Sequence, residues 1–341
     1  MISIVVPLYN EEGNIDELLR RISDVLIGLD GSPDCEIVCV NDGSTDGTLE
    51  RLRQIARTDD RMVIVDLSRN FGHQLAATAG IDAAVGDAVI LMDGDLQDPP
   101  ELIAEFIAQW RAGYDVVYAT RRSRRGESRF KLLTARVFYR IVRRLTNISI
   151  PVDTGDFRLM SRRVVSALKT TRERHRFIRG LVSWVGFRQI GVPYDRDVRY
   201  SGKSKYPISK MVRFAIDGIT SFSEVPLRFA SYLGFFASAF AFIYVIFVLI
   251  RDALGYNEPG YTSTIITVLF LGGVQLVGIG ILGEYVGRIY EEIKARPLYI
   301  VAGIERSDDR TVAATIGRAS GTASPIEKAR TTSAISTELP P

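Results

Sequence analysis

The chain has 341 residues, of which 46% are hydrophobic and 24% charged, which suits one large α/β domain together with a further element. Its two cysteines, Cys35 and Cys39, fall in the apolar run CEIVCV, a pattern typical of buried thiols in a reducing compartment rather than of a disulfide framework. The formal net charge of +3 conceals two basic clusters, at residues 121–144 and 196–213, which could face an anionic membrane or nucleic acid.

The first half of the chain alternates strand-like and helix-like segments. Four short apolar runs predict buried strands of a parallel sheet: ISIVVPL, EIVCVND, MVIVDLS and AVILMDGD. Three helical segments separate them: NIDELLRRISDVL, STDGTLERLRQIA and HQLAATAGIDAAV. This order predicts an α/β fold with a doubly wound, mostly parallel sheet. Because the first strand follows Met1 without the regions of a secretory signal, we expect this domain in the cytoplasm.

Polar clusters follow three of the predicted strands. YNEE follows the first, NDGSTDGT the second and DGDLQD the fourth. Ligands of doubly wound sheets bind outside the carboxyl ends of the strands. The three clusters are therefore expected to line one crevice.

The third cluster has a metal-binding pattern. Asp93 and Asp95 lie two residues apart, so they share one face if the strand persists, and Gly94 would let the backbone approach a ligand. Carboxylates at this spacing suit Mg²⁺ or Mn²⁺, which complete their shell with substrate phosphate and water. A solvated loop is the alternative. The end of a buried strand, near a second acidic cluster, favours the metal site.

Two segments have the pattern of helices that lie on a membrane surface. Residues about 127–146 combine an apolar stripe at helical spacing with crowded arginines, as expected on anionic lipid. Residues about 206–225 are the second such segment and lead into the next apolar run. An ordinary surface helix is the alternative for the first segment.

Two uncharged runs, at about 229–250 and 264–283, predict transmembrane helices. A buried helical hairpin in a soluble core is the alternative, although soluble helices rarely stay apolar on every face. Flanking cations predict that both termini are cytoplasmic. The expected division is a catalytic domain over 1–226, a membrane region over 227–285, a juxtamembrane segment over 286–304 and a disordered tail over 305–341.

Seven motifs, in chain order, carry a family resemblance. They are PLYNEE, VNDGSTDGT, RNFGHQLA, MDGDLQDPPE, DFRLMSRR, GKSKYP and GGVQLVGIGILGEYVGRIYEEIKARPLYIV. Together they resemble family-two glycosyltransferases of the polyprenyl-phosphate branch, closest to bactoprenol glucosyltransferases and more distant from dolichyl-phosphate mannose synthases. The resemblance spans residues 1–303. It implies a cytoplasmic GT-A domain that transfers a sugar, with inversion, from a nucleotide diphosphosugar to undecaprenyl or another polyprenyl phosphate. The expected donor is UDP-glucose.

The resemblance also implies roles on the donor side. The nucleotide-sugar-binding residues would be Pro7, Tyr9, Glu11, Asp42, Asp93, Gly94, Lys203 and Lys205. Asp42 would accept a hydrogen bond from the base, and Asp93, Asp95 and Gln97 would surround a divalent ion that bridges the diphosphate. Lys203 and Lys205 lie in RYSGKSKYP, a candidate mobile flap whose alternative is a plain basic loop. Pro7 and Tyr9 could instead only shape the turn, and Asp46 suits a helix cap better than a ligand.

On the acceptor side the resemblance implies cations for the lipid phosphate. The residues are Arg121, Lys131, Thr134, Arg136 and Arg199. The catalytic candidates are Asp156, Arg158 and Asp95, with Asp156 at the position of the family's base. A phosphate monoester has a second pKa of about 6, so the acceptor hardly needs deprotonation at neutral pH. Asp156 could instead orient Arg158 or take up a residual proton.

The sequence leaves other functions open. One is the same reaction with a different donor: GDP-mannose, a UDP-aminoarabinose derivative, UDP-GlcNAc or UDP-galactose. A processive polysaccharide synthase is disfavoured because neither Trp110 nor Trp184 ends a Gln-x-x-Arg-Trp signature, and two spans offer little pathway for a flippase. The expected partners are membrane lipid, a second copy of the chain, a flippase and a downstream glycosyltransferase, without nucleic acid. No metal pair can be argued from His73 and His175, although His73 is expected near the donor.

Overall fold

The computed structural model describes residues 1–29, 34–122, 154–174, 176–195, 225–254, 261–306 and 312–313. The strands are β1 Ile2–Leu8, β2 Cys35–Asn41, β3 Met62–Leu67, β4 Ala88–Leu91, β5 Val116–Arg121, β6 Thr154–Ser161, β7 Gln189–Tyr194, β8 Val301–Arg306 and β9 Val312–Ala313. The helices are α1 Ile15–Ile27, α2 Thr48–Ala56, α3 His73–Ala83, α4 Leu102–Arg111, α5 Arg162–Thr170, α6 Ile178–Trp184, α7 Val225–Ala253 and α8 Tyr261–Ile293.

The strands form one mixed sheet in the order β7-β5-β6-β4-β1-β2-β3-β8-β9. The four predicted strands, β1 to β4, pair in parallel at its centre, which confirms the doubly wound arrangement. β6 runs antiparallel between β4 and β5, and β8 runs antiparallel beside β3. These antiparallel strands were not predicted. They make the sheet mixed, with the predicted parallel strands at its centre.

Helices cover both faces of the sheet, which explains why its central strands are apolar throughout. Alternate residues of β1 face opposite sides: Ile4 and Val6 pack in the cluster that includes α1, α2 and α4, whereas Val5 packs with α3, α5 and α6. The helix α3 lies very close to the sheet. A Cβ on Gly80 would come within 2.3 Å of Val5 and 2.9 Å of Val40, so this helix position requires glycine.

The helices α7 and α8 confirm the two predicted apolar spans and extend beyond them at both ends. Segments of 27 and 28 residues in these helices are long and apolar enough to cross a membrane. Their side chains point outward, as Phe235 and Leu276 show with 69% and 71% exposure. Because a helical hairpin in a soluble core would be mostly buried, this exposure argues against that alternative. The predicted surface helices at about 127–146 and 206–225 lie outside the described residues, apart from Val225.

After the two apolar helices the chain returns to the α/β domain and adds β8 to the edge of the sheet. Arg53 and Glu305 form an ion pair at 2.6 Å, and the Tyr299 hydroxyl donates to Asp82 at 2.7 Å. The Arg174 backbone N–H donates to Glu292, near the end of α8, at 2.7 Å. The disordered tail was predicted from residue 305, but Glu305 and Arg306 belong to β8. The pairing of this segment with β3 explains the difference.

Candidate active site

The candidate site lies at the carboxyl ends of β1, β2 and β4, as the sequence predicted. β6 reaches the same edge because it runs antiparallel to β4 and therefore begins where β4 ends. The register pairs Leu91 with Arg158. Continuing it by two residues on each strand places Asp93 beside Asp156, although 62 residues separate them along the chain. A sheet neighbour thus completes the acidic cluster that the sequence placed at the end of β4.

Three side chains meet at this edge: His73, Asp93 and Asp156. The Nε2 atom of His73 lies 3.3 Å from Oδ1 of Asp93 and 3.4 Å from Oδ2 of Asp156. One ligand atom from each residue lies within 4.8 Å of the others. His73 is the first residue of α3, so the close packing of that helix on the sheet carries its imidazole to the strand ends.

The electrostatics of the group reflect one buried acid, Asp156, and one half-buried acid, Asp93, that face one base. Burial alone would lower the pKa of His73, but Asp93 and Asp156 raise it to about 9. Burial raises the pKa of Asp93 to about 6 against the attraction of His73. Burial also acts to raise the pKa of Asp156, but the Arg179 guanidinium and His73 hold it well below its usual range. An imidazolium and a divalent cation would therefore compete for the same two carboxylates, because imidazole binds metal only when neutral.

The side chains fit a divalent cation. Oδ1 of Asp93 is buried and accepts no hydrogen bond from the described residues, an uncommon state for a carboxylate oxygen in a folded protein. Two carboxylates and one imidazole are ligand types that such cations accept in proteins. His73 and Asp156 thus join Asp93 as candidate ligands. The sequence had assigned the role to Asp93, Asp95 and Gln97.

Asp95 and Gln97 do not belong to this three-residue group. Oδ1 of Asp95 accepts the backbone N–H of Gln97 at 3.2 Å, and Leu96 between them adopts a left-handed φ of 58°. The motif therefore turns sharply after Asp93. Gly94 also has a packing role that the sequence did not reveal, because a Cβ there would come within 2.4 Å of Leu8. Metal ligation by Asp95 and Gln97 stays a prediction.

The Asp156 carboxylate, 3% exposed as a residue, is held by α6 and α3. Arg179 donates from Nε to Oδ1 at 2.7 Å and from Nη2 to Oδ2 at 3.1 Å. Gln74 donates from Nε2 to Oδ2 at 3.1 Å. A carboxylate with a bidentate arginine partner is a fixed anion and a weak base.

Within the described residues, Arg158 makes no hydrogen bond to the Asp156 carboxylate, and orientation of Arg158 by that carboxylate stays a prediction. The guanidinium of Arg158 is buried and donates to backbone carbonyls of Gly155 at 2.9 Å and Asp156 at 3.3 Å. Burial lowers the pKa of Arg158 to about 10, against the attraction of Asp156. Its contacts support the start of β6, and a role in catalysis stays a prediction.

On the donor side, Asp42 holds the loop that follows β3. Its carboxylate accepts the backbone N–H groups of Phe71 at 2.7 Å and Gly72 at 3.0 Å, and burial raises its pKa although these bonds act to lower it. Gly43 allows the backbone of this loop to pack closely against the residue that follows Asp42. It has a φ of 63°, and a Cβ would lie 2.5 Å from the backbone of Arg69 and Asn70. Asp42 thereby fixes the segment that leads into His73.

The other predicted donor-side residues lie at the same edge. Pro7 is buried in β1, Tyr9 is 43% exposed just beyond it, and the Glu11 backbone N–H donates to Thr48 at 3.0 Å. Asp46 accepts the backbone N–H of Thr48, the first residue of α2, at 3.1 Å, but the N-cap position of this helix is Gly47. Binding of a nucleotide by Pro7, Tyr9 and Glu11 stays a prediction.

Of the predicted acceptor-side residues, the structure describes Arg121 alone. It ends β5 and donates from Nε to the Tyr194 hydroxyl at 3.5 Å, and that hydroxyl donates in turn to Asp98. The others lie outside the described residues, as do the two flap lysines: Lys131, Thr134, Arg136, Arg199, Lys203 and Lys205.

The sequence analysis placed His73 near the donor without a metal-binding role, and it did not single out Gln74 or Arg179, which the structure also brings to the site. NFGHQ gave a weak signal for the first two, since it follows a predicted strand and starts a predicted helix. No local signal distinguishes Arg179 from the neighbouring arginines of RERHRFIRG.

Known proteins match this chain along nearly its whole length. The family description "Glycosyl transferase family 2" matches residues 3–169, and "GtrB C-terminal hairpin" matches residues 225–289. An uncharacterized glycosyltransferase of Synechocystis is 51% identical over 304 residues, which cover 89% of this chain and 95% of that protein.

A second relative carries a more specific name. The SfII prophage-derived bactoprenol glucosyl transferase of Shigella flexneri is 44% identical over 310 residues, covering 90% of this chain and 99% of that protein. Among solved structures, glucosyl-3-phosphoglycerate synthase from Mycobacterium tuberculosis, in complex with Mn²⁺, UDP-glucose and phosphoglyceric acid, aligns at 21% identity with a TM-score of 0.43, over 65% of this chain and 79% of that one. By its near full-length relatives, the chain belongs to glycosyl transferase family 2 and carries the GtrB type of C-terminal hairpin.

Proposed function

We propose that this protein transfers glucose from UDP-glucose to undecaprenyl phosphate, with inversion at the sugar carbon, and so makes a lipid-linked monosaccharide. The observation that carries the proposal is the relative named bactoprenol glucosyl transferase, which matches 90% of this chain at 44% identity. The architecture agrees with such a reaction. A domain with an acidic crevice is joined to two helices long enough to hold it at a membrane.

The acidic crevice supports a metal-dependent donor site. Asp93, His73 and Asp156 would hold Mg²⁺ or Mn²⁺, with Asp95 and Gln97 as further ligands from the sequence pattern. When bound, such a cation offsets the charge that grows on the departing nucleoside diphosphate. Pro7, Tyr9, Glu11 and Gly94 would line the donor pocket, which Lys203 and Lys205 would cover. Asp42 would contribute by fixing the loop before His73.

We infer that Asp156 is a fixed anion rather than an obligatory base. Its carboxylate already accepts hydrogen bonds from Arg179 and Gln74. The acceptor needs little help to lose a proton, because a phosphate monoester has a second pKa of about 6. A cationic surface suits a phosphate dianion, and Arg121, Lys131, Thr134, Arg136 and Arg199 are the candidates for it.

We further propose an arrangement in the membrane. α7 and α8 would cross the cytoplasmic membrane so that the catalytic domain and both chain ends face the cytoplasm, as the flanking cations indicate. A flippase and a downstream glycosyltransferase would then handle the product, and copies of the chain would associate in the membrane.

The test is a panel of nucleotide sugars. Membranes that contain the full-length protein are incubated with undecaprenyl phosphate and one labelled donor at a time, and lipid-soluble label is measured. UDP-glucose should give the highest rate. Comparable membranes with the Asp93→Asn variant are the control. A faster reaction with another donor would change the assigned sugar, and the absence of lipid-linked label with every donor would contradict the proposed reaction.

A further inference from the structure

We propose that Arg179 is a positioning residue of this site, which acts on sugar transfer only through the carboxylate of Asp156. It would hold that carboxylate as a fixed anion facing His73 and Asp93. The inference rests on the proposed function, because its effect is measured in the transfer reaction, but it concerns a residue and a role that neither the motifs nor the family names assign.

Three hydrogen bonds of the Arg179 guanidinium go to one strand. Its Nε and Nη2 atoms bind the two oxygens of Asp156 at 2.7 and 3.1 Å, and its Nη1 atom donates to the Thr154 carbonyl at 3.0 Å. All three guanidinium nitrogens therefore bind the first residues of β6. A bidentate pair fixes the plane of a carboxylate as well as its distance, which a single charge cannot do. The ion pair is well shielded, with 25% of the Arg179 side chain and 4% of the Asp156 side chain exposed.

Gln74 links the same helix to the same carboxylate by a second contact. Its Nε2 atom donates to Asp156 at 3.1 Å, and its Oε1 atom accepts the backbone N–H of Ile178 at 3.0 Å. Ile178 is the first residue of α6 and directly precedes Arg179. Thus the helix that carries the guanidinium is aligned on Asp156 by an independent contact, which argues against an incidental approach of two long side chains.

The position of His73 beside the Asp156 carboxylate gives the pairing a chemical consequence. Oδ2, which Arg179 and Gln74 hold, lies 3.4 Å from His73, and His73 lies 3.3 Å from the buried Oδ1 of Asp93. Rotation of the Asp156 carboxylate would therefore change the distances within the group that suits a cation. Arg158 could not replace Arg179, because its guanidinium binds backbone carbonyls instead.

A double-mutant cycle on the full-length protein distinguishes this role from others. The variants are Arg179→Gln, Asp156→Asn and the two combined, assayed for transfer from UDP-glucose to undecaprenyl phosphate. Arg179→Gln should lower kcat by about 10- to 100-fold, the range typical of residues that orient a ligand, with the donor KM changed by less than about threefold. In the Asp156→Asn background the same change should have almost no effect. Arg179→Lys should recover part of kcat, since one cationic donor remains.

A second cycle does not need turnover. The Mn²⁺ dissociation constant of the same four proteins, measured by electron paramagnetic resonance, should rise by about tenfold for Arg179→Gln alone and not again in the Asp156→Asn background. Arg163→Gln is the matched control. It breaks an arginine pair with Asp115 at the opposite edge of the sheet, at 2.8 Å, and should leave both measurements within about twofold.

Three results would overturn the inference: equal losses in both backgrounds, a raised donor KM at unchanged kcat, or no change in either cycle. The first would indicate a separate structural effect, and the second would indicate that Arg179 binds the donor directly. These results can be distinguished from a failure of the proposed function, because in that case the wild-type protein itself would form no lipid-linked glucose. The combined variant removes both charges together, so it also controls for misfolding caused by an unpaired buried carboxylate.

Discussion

The substitution Asp42→Asn tests whether this carboxylate acts on the nucleotide or through the loop after β3. Its oxygens accept the backbone N–H groups of Phe71 and Gly72 at 2.7 and 3.0 Å, and Asp42 is 2% exposed. The asparagine amide oxygen can still accept one of these N–H groups, but its NH₂ group, a donor, would face the other N–H. One hydrogen bond to a charged group, about 1.5–3 kcal/mol, is lost and the other weakens by about 1 kcal/mol. We therefore expect the free energy of unfolding to fall by about 2.5 to 4 kcal/mol.

The assay combines thermal unfolding of the full-length protein in detergent with donor kinetics. Asp46→Asn is the matched control, because Asp46 accepts the backbone N–H of Thr48 in a neighbouring loop but is exposed, so its substitution should change stability by about 0.5 kcal/mol. Asp42→Asn should lower kcat more than it raises the donor KM, since the loop leads into His73. An unchanged unfolding temperature with a donor KM raised about tenfold, equivalent to 1.4 kcal/mol of binding, would refute this reasoning and assign Asp42 to the nucleoside.

Three further predictions concern the cation, the membrane and the returning chain. Asp93→Asn and Asp95→Asn should both abolish transfer, but Asp93→Asn should weaken Mn²⁺ binding more, because Asp93 belongs to the three-residue group; full activity in excess chelator would contradict both. A tag inserted after Leu254 should be labelled only from outside the cytoplasm, and a tag inserted after Arg306 only from inside. Labelling of both tags from the same side would mean that one of the two helices does not cross the membrane. Tyr299→Phe should lower the free energy of unfolding by about 1.5–3 kcal/mol, because the Tyr299 hydroxyl donates to Asp82. An unchanged melting temperature would show that this contact does not stabilise the returning segment on the domain.

The strands and helices that build the crevice could be predicted because their signals are local. Continuous apolar runs identified β1 to β4, and capping residues with helical spacing identified α1, α2 and α3. The rule that ligands bind at the carboxyl ends of parallel strands then placed Asp42 and Asp93 at one edge. The structure has both residues at this edge. Predicting their position required no knowledge of side-chain contacts.

The partners of Asp93 could not be predicted, because they depend on pairing between distant segments. Asp156 reaches Asp93 through the antiparallel register of β4 and β6, and nothing in TGDFRLMS specifies that neighbour. His73 reaches it because Gly80 lets α3 pack closely on the sheet. Arg179 belongs to a basic run in which sequence alone cannot distinguish a buried pair from a solvated side chain.

The predicted start of the tail, at residue 305, differs from the end of β8 for a related reason. The segment VAGIER is short and only partly apolar, and the serine- and threonine-rich sequence after it is typical of disorder. It forms β8 because the exposed edge of β3 offers unpaired backbone groups, which an antiparallel strand satisfies.

The identity of the product formed by the purified protein is the decisive measurement. The full-length chain is reconstituted in lipid with undecaprenyl phosphate, UDP-glucose and Mg²⁺ or Mn²⁺, and the lipid fraction is examined by mass spectrometry while released UDP is counted. We expect undecaprenyl phosphate to gain one hexose for each UDP released, and chelator to stop both changes. Unmodified lipid with intact UDP-glucose would contradict the proposed reaction, and a chain of several hexoses would indicate a processive synthase instead.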